Sequence, residues 1–456
     1  MKSKICALFL LLCAAAQSYG QVKKWTLQEC VEYALKNNIS VRQSELDLKL
    51  TEVDKSDAFG SFIPTANGSV SHVWNSGLNL DPVSNTNTLQ TTMFTTAGFT
   101  ASVDLYKGLQ NQARYRKAKM AIVASQYQLQ KMKEDTGLNV ANAYLQILFN
   151  RENLKVQQEQ LAADLRQSER STQLLEGGQI PKGDLLDVEA TVAADRQRVI
   201  AAENQLLLSK LSLAQLLQLK DFMSFDVADE EYNMAENAIL FETPEAIFEK
   251  AKTIRTEIKI AQANVDLAKQ DVKISLGAYQ PTLRGFYNLD TRVGYSDVPY
   301  FSPDTGELLG LQSPPPFWNQ FWDNKGHSYG FQLSIPILNG FSTRNAVTRS
   351  KIALDRSQLT YEQQELDLER NVFTAYTDAQ GALKAYDAAV SAANARTLAL
   401  SYATDRYGVG LINVFDLNQA QTLSVNAQSE VARTKYDYLF KIKVLEFYFG
   451  IPIFQK

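Results

Sequence analysis

The chain has 456 residues, with 46 Lys plus Arg against 50 Asp plus Glu for a net charge of −4, and only 2 His and 3 Cys. The acidic balance argues against a nucleic-acid partner. His72 and His327 are too few for a His-based metal cage or a catalytic triad, and no nucleophile motif or glycine-rich phosphate loop stands out, so no catalytic, cofactor-binding or metal residue is expected.

Residues 1–20 read as a signal peptide, because Lys2 and Lys4 precede an apolar run from Ile5 to Ala16 and the small residues Ser18 and Gly20 follow. Cleavage after Gly20 removes two lysines and no acid, so the mature chain is more acidic still. Leu12 stands before Cys13 where lipidation favours a small residue, which disfavours a lipid anchor there. Cys30 alone then remains, so no internal disulfide can form. The mature chain holds no apolar run of about 18 residues, so any membrane-spanning segment must be β.

Along the rest of the chain, a helix is expected over 27–60, strands over about 62–74 and 94–106, and helices over 109–176 and 183–219. A second set follows: helices over 244–277, 341–407 and 414–447, and strands over about 280–293 and 327–338. The two sets are copies of one unit. Gly60, Pro64 and Thr65 return as Gly277, Pro281 and Thr282, all at one constant shift. Gly108, Tyr144, Gly178 and Asp184 return as Gly340, Tyr376, Gly410 and Asp416 at a second, longer shift, so one short insertion separates the registers. It falls between 293 and 327, where Pro314, Pro315, Pro316 and clustered aromatics predict a long loop. The chain thus divides into a signal peptide (1–20), a first repeat (21–220), an acidic linker (221–243), a second repeat (244–447) and a tail (448–456).

Two of the four strands, at 95–105 and 328–337, alternate strictly, and the other two, about 65–74 and 282–293, more loosely. Phe99 and Val103 face away from Thr100 and Asp104, and Phe331, Leu333 and Ile335 face away from Gln332 and Ser334. One apolar and one wet side suit a membrane β-barrel, with Phe99, Val103, Phe331, Leu333 and Ile335 toward lipid and Thr100, Asp104, Arg284 and Ser334 toward the lumen. Trp74, Trp318 and Trp322 suit an interfacial aromatic girdle. Four strands cannot close a barrel, so the chain must oligomerise, and three copies supply twelve. The helices beginning near 109 and 341 lack proline and are far longer than a globule needs. Their return partners carry heptads: Leu185, Val192, Val199, Leu206 and Leu213, then Leu417, Val431 and Leu445.

These features together resemble the TolC-like outer membrane factor family. The marks are the Trp25–Ala34 segment, Ile63-Pro64-Thr65 and Gln280-Pro281-Thr282, and the turn Tyr407-Gly408-Val409-Gly410 followed by Asp416-Leu417. The resemblance implies a mainly α chain with a membrane β-barrel. Its two head-to-tail repeats would each hold two long coiled helices and two β-strands, and a homotrimer would form a 12-stranded β-barrel and a 12-helix α-barrel tunnel. It implies an outer-membrane channel reaching into the periplasm and serving efflux or type I secretion. A periplasmic membrane-fusion adaptor and an inner-membrane pump would dock at the tip turns, Gly177, Gly178, Gly183, Tyr407, Gly408 and Gly410. Ile412 stands where members can carry arginine, so a charge latch there is not expected, and Pro181 stiffens the first turn.

Asp184, Asp187 and Asp416 lie just inside the returning helices and could form an acidic ring at a periplasmic gate; a helix-dipole role alone is the simpler alternative. Six methionines and two histidines offer no soft-metal relay. An envelope-anchored structural or adhesive coiled-coil protein is the main rival reading, although it gives no account of the doubled strands.

Overall fold

The computed structural model describes residues 24–80, 86–221, 225–229 and 238–451. The signal peptide, Cys13, parts of the linker and the end of the tail lie outside them. In chain order the elements are β1 (Lys24–Trp25), α1 (Leu27–Asn37), α2 (Ile39–Gly60), β2 (Thr65–Leu80), β3 (Asn87–Lys107), α3 (Gln110–Glu176), α4 (Lys182–Leu217), β4 (Asp226–Val227), α5 (Pro244–Ile254), α6 (Thr256–Gly277), β5 (Thr282–Gly294), β6 (Val298–Phe301), β7 (Leu308–Gln312), α7 (Phe317–Asp323), β8 (Gly326–Ser334), α8 (Ser342–Gly408) and α9 (Val414–Phe449). No helix among the described residues is long and apolar enough to cross a membrane. The chain separates into a helical unit (1–48, 124–262, 360–456) and a sheet unit (49–123, 263–359).

In the helical unit two apolar cores form. In one, Cys30, Val31 and Ala34 of α1 pack with Tyr144 and Ile147 of α3 and with Leu213 and Leu217 of α4. In the other, Ile247 and Ala251 of α5 pack with Leu368 and Val372 of α8 and with Tyr438 and Leu445 of α9. Two tyrosines tie these cores to the segment between the repeats: Tyr144 donates to the Ala228 carbonyl at 2.9 Å, and Tyr376 at 3.3 Å to that of Leu240, in the 3-10 turn Ala238–Phe241. Of the heptad positions, Val192, Val199, Leu213, Leu417 and Leu445 are buried. The linker contributes β4, which pairs in parallel with β1. Burial pushes the Asp226 carboxyl up, but Lys210 and Arg151, at 3.0 and 2.7 Å, outweigh it and hold it below the usual carboxylate range.

Two helices expected to be continuous are broken. The 27–60 helix stops at Asn38, whose extended backbone caps α1 while its side chain accepts from the Ser40 N–H at 2.9 Å and donates to the Leu216 carbonyl at 3.0 Å. The 244–277 helix breaks at Arg255, whose guanidinium is stacked on Phe447 and bonded to Glu134 and Glu257. At both breaks the backbone N–H still bonds the carbonyl four residues back, while tertiary partners hold the side chain.

In the sheet unit one antiparallel sheet has the order β2-β3-β5-β8. Its strands depart from expectation at their ends. β2 and β3 run on to Leu80 and back to Asn87, because Asn75, Ser76, Gly77 and the threonines of β3 pair across the hairpin despite their turn-like composition. β8 stops at Ser334, since Pro336 has no N–H to donate, so Ile335 lies just beyond the strand. The inserted segment is not a plain loop: β6 and β7 form a hairpin and α7 follows it. Where β3 turns into α3, Gly108 and Leu109 both take positive φ, and Gly340 and Phe341 do the same ahead of α8. Gly108 and Gly277 approach so closely that a Cβ on either would clash with the other's backbone.

Candidate functional site

Three places stand out, and two of them hold the residues singled out by sequence. The first is the pair of helical turns. α3 ends on Gly178 (φ +69°), where the Gln179 N–H reaches back to the Leu174 carbonyl at 2.8 Å. α8 ends on Gly410 (φ +76°) in the same way, with the Leu411 N–H on the Arg406 carbonyl at 2.8 Å. Both are Schellman caps, which need a residue tolerant of the left-handed region. α4 starts after Pro181 with no side-chain cap, whereas the Asn413 side chain caps α9 by accepting from the Asp416 N–H at 2.8 Å.

Asp184 and Asp416 lie in the first turns of α4 and α9, where a carboxylate complements the helix dipole, and Asp187 is exposed one turn on. Within one chain the structure does not join these three carboxylates to one another. It does join the returning helices, through the Asn418 amide donating to the Thr191 hydroxyl at 3.1 Å. Gly177, Gly178, Gly183, Gly408 and Gly410 are exposed and Tyr407 is half-buried. Around the second turn Val409, Leu411 and Phe415 are 73%, 69% and 69% exposed, an apolar knuckle. Arg170 of α3 reaches Gly408, its Nη2 lying 3.8 Å from where a Cβ there would stand. A cation thus lies beside the end of α8 even though Ile412 carries no charge, and sequence spacing gives no hint of it.

The second place lies outside the residues that sequence singles out. Asp164 of α3 and Asp195 of α4, each only 2% exposed, share a hydrogen bond in the seam between the helices. Gln160 donates to Asp164 Oδ2 at 2.7 Å and Arg198 to Asp195 Oδ1 at 2.7 Å, while Gln421 of α9 bonds Asp164. Asp195 Oδ2 is buried with no other donor among the described residues, so a proton shared between the carboxyls is what satisfies it. Burial, then the Asp195 carboxyl, push Asp164 up to about 7 against the opposing amides of Gln160 and Gln421. The sequence carries a signal for the pair: Asp195 occupies the second apolar position of the heptad, between buried Val188 and Ala202.

The third place is the sheet. Cross-strand partners lie on one face, so the register Phe99 with Leu289, Val103 with Gly285, Phe331 with Gly285 and Leu333 with Leu283 puts Phe99, Val103, Phe331 and Leu333 together. Val70, Trp74, Tyr287 and Tyr329 share that face, and much of it is open, with Phe331 76% exposed. Thr100, Asp104, Arg284 and Ser334 lie on the opposite face, where Lys107 pairs with Asp104 at 2.6 Å and Arg284 donates to the Ser102 hydroxyl.

Comparison with known proteins adds the context of this geometry. A family described as "Outer membrane efflux protein" matches residues 30–218 and 247–450. The outer membrane protein TolC of Vibrio cholerae is 24% identical over 311 residues, covering 67% of this chain and 65% of that protein, so the match spans less than two thirds of the relative's length. The alkaline protease secretion protein AprF of Pseudomonas aeruginosa is 22% identical over 353 residues, 74% of this chain and 66% of that protein. Among solved structures, the CmeC outer membrane channel of Campylobacter jejuni superposes with a TM-score of 0.73 at 18% identity, over 93% of this chain and 85% of that one, which establishes the fold.

Proposed function

The chain belongs to the outer membrane efflux protein family, and from that premise we propose that it is the channel of a tripartite efflux or type I secretion system, passively conducting what an inner-membrane pump and a periplasmic adaptor deliver. It is an outer-membrane protein that extends into the periplasm. The observation that carries the channel reading is the sheet: four strands, one apolar face open, and both edges, β2 and β8, unpaired within the described residues. An open apolar sheet is unstable alone, and three copies joined β8 to β2 would close twelve strands with the polar face inward.

The two halves read as copies, each supplying two long helices, so the same trimer would present twelve helices. The tip turns, with the knuckle of Val409, Leu411 and Phe415, are where an adaptor would dock. A purely structural coiled-coil protein leaves the wet face of the sheet without a purpose. Detergent-purified protein in planar bilayers tests the reading. Steady single-channel conductance from an intact trimer is the expected result, and an intact trimer that never conducts would refute it.

A further inference from the structure

The short helix α7 is held against the sheet by a specific clamp. β8 pairs with β5 only as far as Asp290, and beyond that point α7 takes the place of a strand. Gln320 accepts from the Gly294 N–H at 2.9 Å and donates to the Gly294 carbonyl at 3.0 Å, while Asn324 donates to the Arg292 carbonyl at 2.7 Å. Thr291 donates to the Phe321 carbonyl at 2.8 Å, and it and Val293 are 7% and 1% exposed. Thr291 and Val293 are on the same face as Phe99 and Leu289, because Thr291 pairs with Ala97 and Val293 with Thr95. The helix therefore lies over the apolar face of the sheet, not over its polar face.

What α7 turns away from the sheet is aromatic. Trp318 and Trp322 are 64% and 59% exposed, and Phe317 and Phe321 stack beneath them with centroids 6.0 Å apart. Lys325 lies 5.6 Å from the Trp322 ring. On the same face and at the same level, His72, Trp74 and Tyr295 pack edge to face, and Tyr295 and His72 both bond the Thr95 hydroxyl. Large rings with polar N–H or O–H edges and a neighbouring cation match the boundary between acyl chains and headgroups, where an apolar body and a polar tip are both solvated. The level fits as well. From Leu283 to Thr291 a strand climbs about 26 Å, or about 20 Å along the membrane normal at a barrel's tilt of roughly 40°, close to the ~25 Å height of an outer-membrane apolar band.

We propose that α7 is a membrane anchor on the outside of the barrel, its Trp318 and Trp322 seated at the acyl–headgroup boundary of the outer leaflet. The inference rests on the reading that the apolar face of the sheet meets lipid. It identifies the partner as lipid because the patch is continuous with that face and because α7 is fixed by side-chain-to-backbone hydrogen bonds in an orientation that sends the indoles outward.

Two tryptophan sets separate the inference from its premise. Trp25→Phe with Trp74→Phe leaves Trp318 and Trp322 as reporters, and Trp25→Phe with Trp318→Phe and Trp322→Phe leaves Trp74 on the sheet itself. Each full-length trimer is reconstituted into phosphatidylcholine vesicles with bromine placed near the headgroup or deep in the acyl chain. The expected result is loss of Trp318 and Trp322 emission that is about twofold greater with shallow bromine than with deep, together with protection from aqueous iodide. Quenching of Trp74 without quenching of Trp318 and Trp322 would overturn the anchor and leave the barrel reading standing. Loss of lipid quenching in both sets would overturn the barrel reading as well. Protection of Trp318 and Trp322 from bromine and iodide alike would assign the patch to another copy of the chain and also overturn the anchor.

Discussion

Replacing Asp164 by Asn should change how stability depends on pH, with a sign fixed by the buried pair. Folding raises the Asp164 carboxyl from 3.8 to about 7, so the folded chain keeps a proton that the unfolded chain has already released. Below about pH 4 both states hold the proton and the pair costs nothing. Between about pH 4 and 7 the cost grows, and above the folded value it is constant. The rise corresponds to at most about 4 kcal/mol, and water reaching the seam beside half-exposed Arg198 lowers this to about 2 kcal/mol. The amide introduced by Asp164→Asn would donate a hydrogen to Asp195 Oδ2 at every pH and abolish the cost. Guanidinium unfolding followed by circular dichroism at pH 4.5 and pH 8 compares the two proteins in one detergent. The variant should gain about 2 kcal/mol over the natural chain at pH 8 and much less at pH 4.5. Equal shifts at both pH values, or a variant that is less stable only at pH 8, would show that no proton is shared between Asp164 and Asp195.

Two other outcomes are expected. If Asp184 and Asp416 line a constriction in the trimer, roughly millimolar trivalent cations added on the periplasmic side should block conductance, and Asp184→Asn with Asp416→Asn should weaken the block while the trimer persists; block of unchanged strength would leave them as dipole-complementing residues of their helices. Gly277→Ala should lower stability by about 2–4 kcal/mol, because its Cβ would strike the Gly108 backbone, and the temperature at which the proposed trimer dissociates on a gel should fall accordingly; Gly381→Ala, in open space within α8, is the control expected to hold that temperature or raise it, since alanine favours a helix interior by about 1 kcal/mol over glycine.

Much of the fold is legible because nothing local competes with it. The long helices contain no proline and carry an apolar stripe, so their course is plain from residue spacing, and the alternation at Phe99 and Val103 reports the face on which the register places them. The breaks at Asn38 and Arg255 are not legible, since each depends on a partner far along the chain, the Leu216 carbonyl and the Glu134 carboxylate. The far half of β2 is hidden for the opposite reason: Asn75, Ser76 and Gly77 have turn-like preferences that pairing with β3 overrides. At the candidate sites, the turn glycines and first-turn aspartates can be read because their chemistry is local. Arg170 cannot, and Asp164 is found only by asking what its partner Asp195 does inside an apolar seam.

The unpaired margins of the four-stranded sheet also govern how the protein comes into being. Within the described residues of one copy, β2 and β8 each have one side with no strand beside it, and the sheet has an open apolar face, a template as ready to nucleate fibrils as to find its proper neighbours. The helical cores close within one chain and can form first, whereas in the proposed barrel the sheet gains a complete set of partners only when copies meet. If three copies close the wall as proposed, its completion is a collision-limited event whose rate rises steeply with the number of chains present.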